Sequence, residues 1–432
     1  MISDPIIAPA TALHVARARF GRIADGLAVA VAVSLPWSSS AASILILFML
    51  LALVPAQTPR DVLQEVATPA GGVPVALFVL AALGMTWADV SWAERFGGLD
   101  SLAKLLMIPI LLTRFRRSDR GLWVMGGYLV SCTMVLVLAS ALALWPQATL
   151  VLANDFGVPV KNPATQTGQF VACAFVLLFL AVEGFRHRRR GAAAGMLALA
   201  LVFVANIVVL ALADVSVVPL ASLVIIPVLL VLLGFKQFDA RAMLGVLAAT
   251  VVLCAVAWAA SPQLRQQVTA LWANLQPFPG NDQNLAGARP EFWKKSLGFI
   301  GDAPIVGHGT GAIPQRFVRS AVGQTGYSAR LTTDPLQQTL AVGIQLGLVG
   351  IAVLWAMWLA HLLLFQGEGL PAWIGLVVVT QSMVGSLLNS HLFDFTQGWI
   401  YVFGVGVMGG TVLRKRCAEG GARGGGHRAQ IL

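Results

Sequence analysis

Long apolar runs and short polar connections alternate along most of this 432-residue chain. Many runs approach the ~20 residues that a helix needs to cross the hydrocarbon core of a bilayer. They are continuously apolar rather than alternating, which favours helices over the strands of a membrane barrel. The pattern predicts an all-α polytopic membrane protein with about twelve transmembrane helices, at 23–37, 41–57, 70–92, 100–113, 121–145, 167–185, 192–214, 217–235, 242–260, 335–364, 370–388 and 392–413.

Composition agrees with this class. Hydrophobic residues make up 57% of the chain and charged residues 11%, against about 25% charged in soluble domains. The predicted organisation is therefore nine helices in 1–260, a large outer loop at 261–334, three helices in 335–413 and a tail at 414–432. Because the tail is rich in Gly and Arg, we expect it to be disordered.

Basic residues mark one side of the predicted membrane. Cytoplasmic connections collect Lys and Arg, so an N-terminus on the inside predicts that both termini are cytoplasmic. The clusters are typical of topology signals at an anionic leaflet, and nothing resembles a nucleic-acid module. The residues placed inside by this orientation are Arg17, Arg19, Arg22, Arg114, Arg116, Arg117, Arg120, Arg186, Arg188, Arg189, Arg190, Lys236, Arg241, Arg414, Lys415 and Arg416.

The outer loop is basic although it lies on the side where basic residues are usually few. This excess indicates an anion-binding surface, because guanidinium groups bind phosphate through paired hydrogen bonds. Its basic residues are Arg265, Arg289, Lys294, Lys295, Arg316, Arg319 and Arg330, against the acidic residues Asp282, Glu291, Asp302 and Asp334.

Two local patterns stand out within the loop. A predicted helix at 289–300 carries Arg289 and Trp293 on one side. A turn with glycines at 307, 309 and 311 follows, and glycine permits tight backbone turns near a ligand or a packed helix. A Gly-x-Gly-x-Gly pattern alone is a weak signal, and a simple turn after a surface helix explains it equally well.

These residues carry a family resemblance. Arg289-x-x-x-Trp293, the segment Ala303-Pro304-Ile305-Val306-Gly307-His308-Gly309-Thr310-Gly311, the pair Gly347-x-x-Gly350 and the outer segment 389–395 occur in an order similar to that of bacterial O-antigen ligases and their polymerase relatives. The resemblance implies an inverting, metal-independent glycosyltransferase of the type C membrane class. Such an enzyme transfers a glycan from undecaprenyl pyrophosphate to lipid A-core at the periplasmic face of the inner membrane, in lipopolysaccharide biosynthesis.

The resemblance assigns candidate roles. Arg265 and Arg289 would stabilise the negative charge that develops on the pyrophosphate leaving group. Lys161, in another outer connection, would also meet phosphate, and Trp293 would stack on a sugar. Gln337 occupies the second position of the family's His-(Asn/Ser/Gln) motif.

The first position of that motif departs from the family. Leu336 stands where the family has a histidine that helps to activate the acceptor hydroxyl, and leucine can neither accept nor donate a proton. The chain is then an inactive or engineered variant, a divergent member that uses another group, or a relative with another acceptor. His308 in the glycine turn is the replacement base to test first, ahead of His391. A further departure is Val217 after Ser216, where members often have arginine.

Several alternatives remain open. Within the same class, an O-antigen polymerase or a protein O-glycosyltransferase would use the same kind of donor. From another class, a twelve-span transporter would show paired repeats and charges near the bilayer midplane, and the two halves of this chain differ. The carboxylates Asp302, Asp334 and Asp394 are isolated in the sequence, and the four cysteines have no paired spacing, so no metal or other cofactor is expected.

Overall fold

The computed structural model describes residues 7–144, 158–213 and 285–428, together with the single positions 248 and 255. Within these residues the regular structure is helical, without strands. The first part contains α1 (Ile7–Ser34), α2 (Ser39–Ala56), α3 (Pro59–Val66), α4 (Pro69–Gly84), α5 (Trp92–Ala103), α6 (Met107–Phe115), α7 (Gly121–Leu144), α8 (Pro163–Arg186) and α9 (Arg190–Ala213). The second contains α10 (Leu285–Asp302), α11 (Ile313–Ala321), α12 (Gln338–Leu364), α13 (Leu370–Ser386), α14 (Phe395–Phe403) and α15 (Gly409–Arg428).

The all-α polytopic class is confirmed. Six helices in the described ranges are long and apolar enough to cross a membrane, or seven if the bent pair of α3 and α4 counts as one broken span. The predicted number of twelve is not confirmed. The predicted spans at 217–235 and 242–260, apart from the single positions 248 and 255, lie outside the described residues, as does 261–284.

The fourth predicted span, 100–113, is part of a longer helical segment. Helix α5, a 3₁₀ turn at Lys104–Leu106 and α6 together form the candidate span Trp92–Phe115. A capping box starts it early, because the Ser91 hydroxyl accepts a hydrogen bond from the Glu94 N–H while the Glu94 carboxylate accepts one from the Ser91 N–H. Polar residues of the first turns are therefore helical although they interrupt the apolar run.

The bundle has an arginine end, defined here by residues 114–118 and 414–417. Arg114 forms a bidentate ion pair with the buried Asp25, with nitrogen to oxygen distances of 2.8 and 2.7 Å. Arg116 pairs with Glu65 of α3. Arg416 donates to the Leu364 carbonyl at the end of α12. The arginine end thus gathers several residues that the sequence predicts to be cytoplasmic.

The C-terminal helices are joined without a loop. A π-helical segment at Gly404–Met408 connects α14 to α15. Gly406 lies against Leu111 of α6, where a larger side chain would collide. Helix α15 continues to Arg428, through most of the tail for which disorder is predicted, since this stretch contains no proline to interrupt helical hydrogen bonding.

Helices α10 and α11 form a small core of their own with the start of α12. Phe317 of α11 makes edge-to-face contacts with Phe292 and Phe299 of α10, at centroid distances of 5.5 and 5.3 Å. Ile344 of α12 joins this cluster, and Leu336 packs against it. The second half of the predicted outer loop is thus a helical layer packed on α12.

Candidate functional site

A broken transmembrane helix organises the site. Within α12, Gly347 has φ 64° and ψ −160°, values that are not helical. The helix therefore loses two of its own hydrogen bonds at this point. Leu348 N donates instead to Pro304 O at 2.7 Å, and Val349 N donates to Ile305 O at 3.2 Å.

The carbonyls freed by the break bind the glycine turn, defined as Gly307–Gly311. His308 N donates to Ile344 O and Gly309 N donates to Gln345 O, both at 2.9 Å. Four backbone groups of α12 are thus satisfied by the segment 304–309, as buried backbone groups must be. The Gly-x-x-Gly pair of the sequence marks this break, and the alternating glycines serve a packed helix.

Glycine is required at both partners of this exchange. Gly309 has φ 89° and lies against Ala88, so a side chain there would be both strained and obstructed. At Gly347, a Cβ atom would overlap the Ile305 carbonyl and lie 2.7 Å from Gly307 N.

A cavity of about 480 Å³ lies beside the glycine turn. Its wall combines α5, the start of α11, the residues before α12 and the connection between α13 and α14. The lining residues are Glu94, Gly97, Gly98, Ser101, Gly311, Ile313, Pro314, Thr333, Asp334, Gln345, Asn389, Ser390, Phe393 and Asp394. Because α5–α6 and α12 both run from this cavity to the arginine end, the cavity and the arginine end lie at opposite ends of the bundle.

Asp334 is the best-defined polar group in the cavity wall. Its Oδ1 accepts hydrogen bonds from Ser390 Oγ at 2.6 Å and from Leu336 N at 2.9 Å. Burial raises the pKa of this carboxyl, while the Ser390 and Leu336 hydrogen bonds and the nearby Arg289 oppose the increase. In the sequence Asp334 and Asp394 are isolated carboxylates, whereas the fold brings both to one cavity.

Two lysines lie behind Asp394. Lys104 Nζ donates to the Asp394 carbonyl at 2.8 Å. Lys161 Nζ donates to Thr396 Oγ1 at 2.7 Å and to Ser39 Oγ at 3.0 Å, so it connects three segments of the chain. Burial lowers the pKa of Lys161, and the charge of Asp394 opposes this. The Lys161 ammonium therefore donates hydrogen bonds to protein hydroxyls, whereas the sequence predicts that it contacts the phosphate of a substrate.

Arg289 is a predicted phosphate-binding cation whose charge acts on Asp334 in the cavity wall. Its side chain is largely buried and its Nε has no hydrogen-bond partner among the described residues. Burial lowers the pKa of Arg289, and the charge of Asp334 opposes this shift. A guanidinium keeps its proton in such surroundings, so Arg289 carries a largely buried positive charge that acts on Asp334. Trp293, one helical turn away, has a buried indole N–H that is also without a partner in the described part of the chain.

Leu336 adopts the left-handed backbone conformation, with φ 58°. This region is uncommon for leucine but several-fold enriched in His, Asn and Asp. The backbone here therefore suits the histidine of the family better than the residue present. Gln337 caps α12, since its side-chain oxygen accepts a hydrogen bond from Leu340 N, and it does not line the cavity.

The two histidines proposed as bases have structural contacts. His308 Nε2 donates to the Phe299 carbonyl at 2.7 Å, near the end of α10. Burial lowers its pKa, and this imidazole does not line the cavity. His391 is buried beside Gly385, and burial lowers its pKa to about 4. His361, predicted to have a packing role, is buried and hydrogen-bonded to the Tyr401 hydroxyl and the Ala70 carbonyl.

The fold brings only part of the predicted site together. Arg289 and the Leu336 N–H both interact with Asp334. Lys161 contacts Thr396 of α14 and His308 contacts the Phe299 carbonyl of α10, and neither lines the cavity. Arg265 falls outside the described residues, as do Ser216 and Val217.

Sequence reasoning missed the wall of α5. Its signal was present, because Glu94, Gly97, Gly98 and Ser101 recur at the spacing of one helix face and interrupt the apolar run with small or polar residues. Within the described part of the chain, no group of three or more His, Cys, Asp or Glu side chains is arranged to hold a metal ion.

The comparison with known families covers this same region. Residues 201–355 match the family model described as O-antigen ligase. The segment is an O-antigen ligase match. It contains α10, α11, the glycine turn, Asp334 and the break in α12, so the resemblance predicted from the motifs is confirmed.

The O-antigen ligase match supports a membrane glycosyltransferase of the ligase and polymerase type, acting in general on lipid-linked glycan and a lipid acceptor. No curated protein matches the chain.

Proposed function

We propose that the protein is an O-antigen ligase-type glycosyltransferase that moves a glycan from undecaprenyl pyrophosphate to lipid A-core at the periplasmic face of the inner membrane. The observation that carries this proposal is the O-antigen ligase match over 201–355, which includes Arg289. The Nε of this largely buried cation has no hydrogen-bond partner among the described residues, and its charge acts on Asp334 of the cavity wall. The cavity lies at the end of the bundle opposite the arginine end. This placement agrees with the orientation in which the arginine end is cytoplasmic.

In the proposed reaction, an acceptor hydroxyl attacks the anomeric carbon of the glycan from the side opposite the pyrophosphate, which inverts the configuration. The bond between this carbon and the phosphate oxygen breaks, and its electron pair leaves with the pyrophosphate. Arg289, with Arg265, stabilises the negative charge on this leaving group by charge-assisted hydrogen bonds. The guanidinium groups supply this stabilisation without a metal ion in the proposed mechanism.

The relatives that share this donor differ in their acceptor. An O-antigen polymerase would extend another lipid-linked glycan, and a protein O-glycosyltransferase would modify a polypeptide. The described residues favour neither over the ligase, so the assay offers all three acceptors.

The test is transfer in proteoliposomes that contain the full chain and an undecaprenyl-pyrophosphate-linked glycan. Lipid A-core, a second lipid-linked glycan and an acceptor peptide are added separately, and products are separated by mass. We expect transfer to lipid A-core. Leu336→His is assayed in parallel, and absence of transfer from both the unsubstituted chain and this variant would refute the proposed function.

Arg289→Ala tests the role of the buried arginine, with Lys294→Ala as a matched control on the exposed side of the same helix. Losing one preorganised contact to developing charge costs roughly 10² to 10³ in rate. We expect that loss for Arg289→Ala and little change for Lys294→Ala. Equal rates in the two variants would remove Arg289 from the mechanism.

A further inference from the structure

We infer that Asp334 is the base that accepts the proton of the acceptor hydroxyl in this chain, and that the cavity it lines receives an uncharged sugar of the acceptor. This inference rests on the proposed function and adds the group that Leu336 cannot supply. It also names the chemical class of acceptor that the cavity accommodates.

The hydrogen bonds of Asp334 orient its carboxylate. Both Ser390 Oγ and Leu336 N donate to Oδ1. Among the described residues Oδ2 receives no hydrogen bond, and Asp334 lines the cavity. One oxygen therefore holds the side chain in place, while the other can accept a proton from a ligand.

Asp334 also lies close to the position where the family has its histidine. The Leu336 N–H contact folds the Asp334 side chain back over the backbone of residue 336. A carboxylate two residues earlier in the chain is thus held beside the backbone that would otherwise carry the imidazole. Leu336 packs against the aromatic cluster of α10 and α11. Its side chain takes no part in the proton transfer, which we assign to Asp334.

The charge of the wall selects the ligand. Among the described residues, Glu94, Asp334 and Asp394 line the cavity, and no lysine or arginine does. A doubly negative pyrophosphate would be repelled by these carboxylates. Sugar hydroxyls, by contrast, donate hydrogen bonds to carboxylates, and a volume of about 480 Å³ lies within the ~300–1,000 Å³ range of small-molecule sites. In this proposal the donor pyrophosphate binds at Arg289, outside the cavity, while the acceptor sugar binds inside it.

The proton transfer completes the balance of the reaction. The acceptor O–H bond breaks as its oxygen bonds to the anomeric carbon, and the proton moves to Asp334 Oδ2. The raised pKa of Asp334 makes it a stronger base than an exposed aspartate. The charged groups around it are Arg289 of α10, which acts on it electrostatically, and Glu94 of α5 and Asp394 before α14, which line the same cavity.

The decisive variant is Asp334→Asn, whose amide oxygen can still accept from Ser390 and Leu336 N. Loss of a positioned base costs roughly 10² to 10⁴ in rate. We expect kcat to fall by that factor while the KM for the lipid-linked donor stays unchanged. Asp302→Asn, which changes an exposed carboxylate at the end of α10, is the matched control and should retain the activity of the unsubstituted chain.

Rescue separates a base from a structural residue. In the double variant Asp334→Asn/Leu336→His, the polar imidazole should leave the apolar cluster that Leu336 packs against and turn toward the cavity. It then replaces the carboxylate, so transfer should return in part. The acid limb of its pH profile should then move up toward pH ~6.5, the ordinary pKa of histidine. A structural role for Asp334 would produce neither effect.

Two results would overturn the inference. One is an Asp334→Asn variant that keeps kcat within about threefold of the unsubstituted chain. The other needs no variant: a transfer rate that does not fall as the pH is lowered toward about 4, the ordinary pKa of aspartate, because protonation inactivates a carboxylate base. Transfer by the unsubstituted chain combined with either result would refute the Asp334 base and leave the ligase function standing.

Discussion

Substituting Gly347 by alanine should destabilise the protein and abolish transfer together. Alanine cannot hold φ 64° and ψ −160° without strain of roughly 1–3 kcal/mol, because this region is nearly exclusive to glycine. Its Cβ would also overlap the Ile305 carbonyl. The first possible outcome is therefore that α12 keeps its break and the introduced alanine is strained.

The other outcome is that α12 closes into a regular helix. Leu348 N and Val349 N would then return to the carbonyls of Ile344 and Gln345, which now accept from His308 N and Gly309 N. Two buried donors of the glycine turn would lose their partners, at about 1–3 kcal/mol each. We expect a loss of about 1–3 kcal/mol plus the cost of the overlap by the first route and about 2–6 kcal/mol by the second. Either is a large fraction of the ~5–15 kcal/mol that stabilises a typical protein.

The measurement is the unfolding midpoint of the purified protein in detergent, followed by tryptophan fluorescence, with transfer activity measured on the same samples. Gly298→Ala in α10 is the control, because a Cβ there meets no atom within 4 Å and the glycine is helical. The control should be neutral or slightly stabilising, since alanine is the better helix former. Equal midpoints for Gly347→Ala and Gly298→Ala would refute the account of the broken helix.

Three further outcomes follow from individual contacts. Lys161→Met should lower stability by about 1–3 kcal/mol through its lost bond to Thr396, with donor KM unchanged; a raised KM and normal stability would instead indicate a phosphate ligand. Asp25→Asn should lower the free energy of unfolding by about 3–5 kcal/mol, because it leaves the charge of Arg114 buried and without its partner carboxylate. An unchanged unfolding midpoint would contradict this. Burial lowers the pKa of His391 from 6.5 to about 4. The contribution of this neutral imidazole to the free energy of unfolding should therefore be fully present above pH 6.5 and fall by about 3 kcal/mol as the pH drops toward 4. A His391→Gln variant with the same pH dependence of stability would refute this assignment.

The helical class follows from the sequence because lipid requires every backbone group to be satisfied within its own segment. Element ends are harder to predict, since they depend on single side chains and distant partners. The start of α5 depends on the cap at Ser91, and the predicted span 70–92 ends at Gly84, whose carbonyl accepts a hydrogen bond from Thr310 N. No local pattern announces that second contact.

The site divides in the same way. Arg289 and the special position of residue 336 can be found in the sequence, because the Arg289-x-x-x-Trp293 unit and the family motif at 336–337 are local signals. The role of Asp334 depends on contacts from distant segments, Ser390 above all, which only the fold reveals. Lys161 and His308 show the converse, since both are polar, outward-placed residues in the sequence whose side chains are occupied by protein groups.

The break in α12 also determines how deep the cavity lies in the bilayer. After Gly347, the part of α12 at 348–364 is about 25 Å long at 1.5 Å per residue, and the 17 residues of α13 give about the same length. Both are shorter than the ~30 Å hydrocarbon thickness, so the membrane next to them must thin or the cavity floor must lie below the average lipid surface. A lipid-anchored acceptor of the proposed reaction would therefore bring its sugar to the cavity from the headgroup layer, and lipids with longer chains should slow the proposed transfer by burying the cavity entrance.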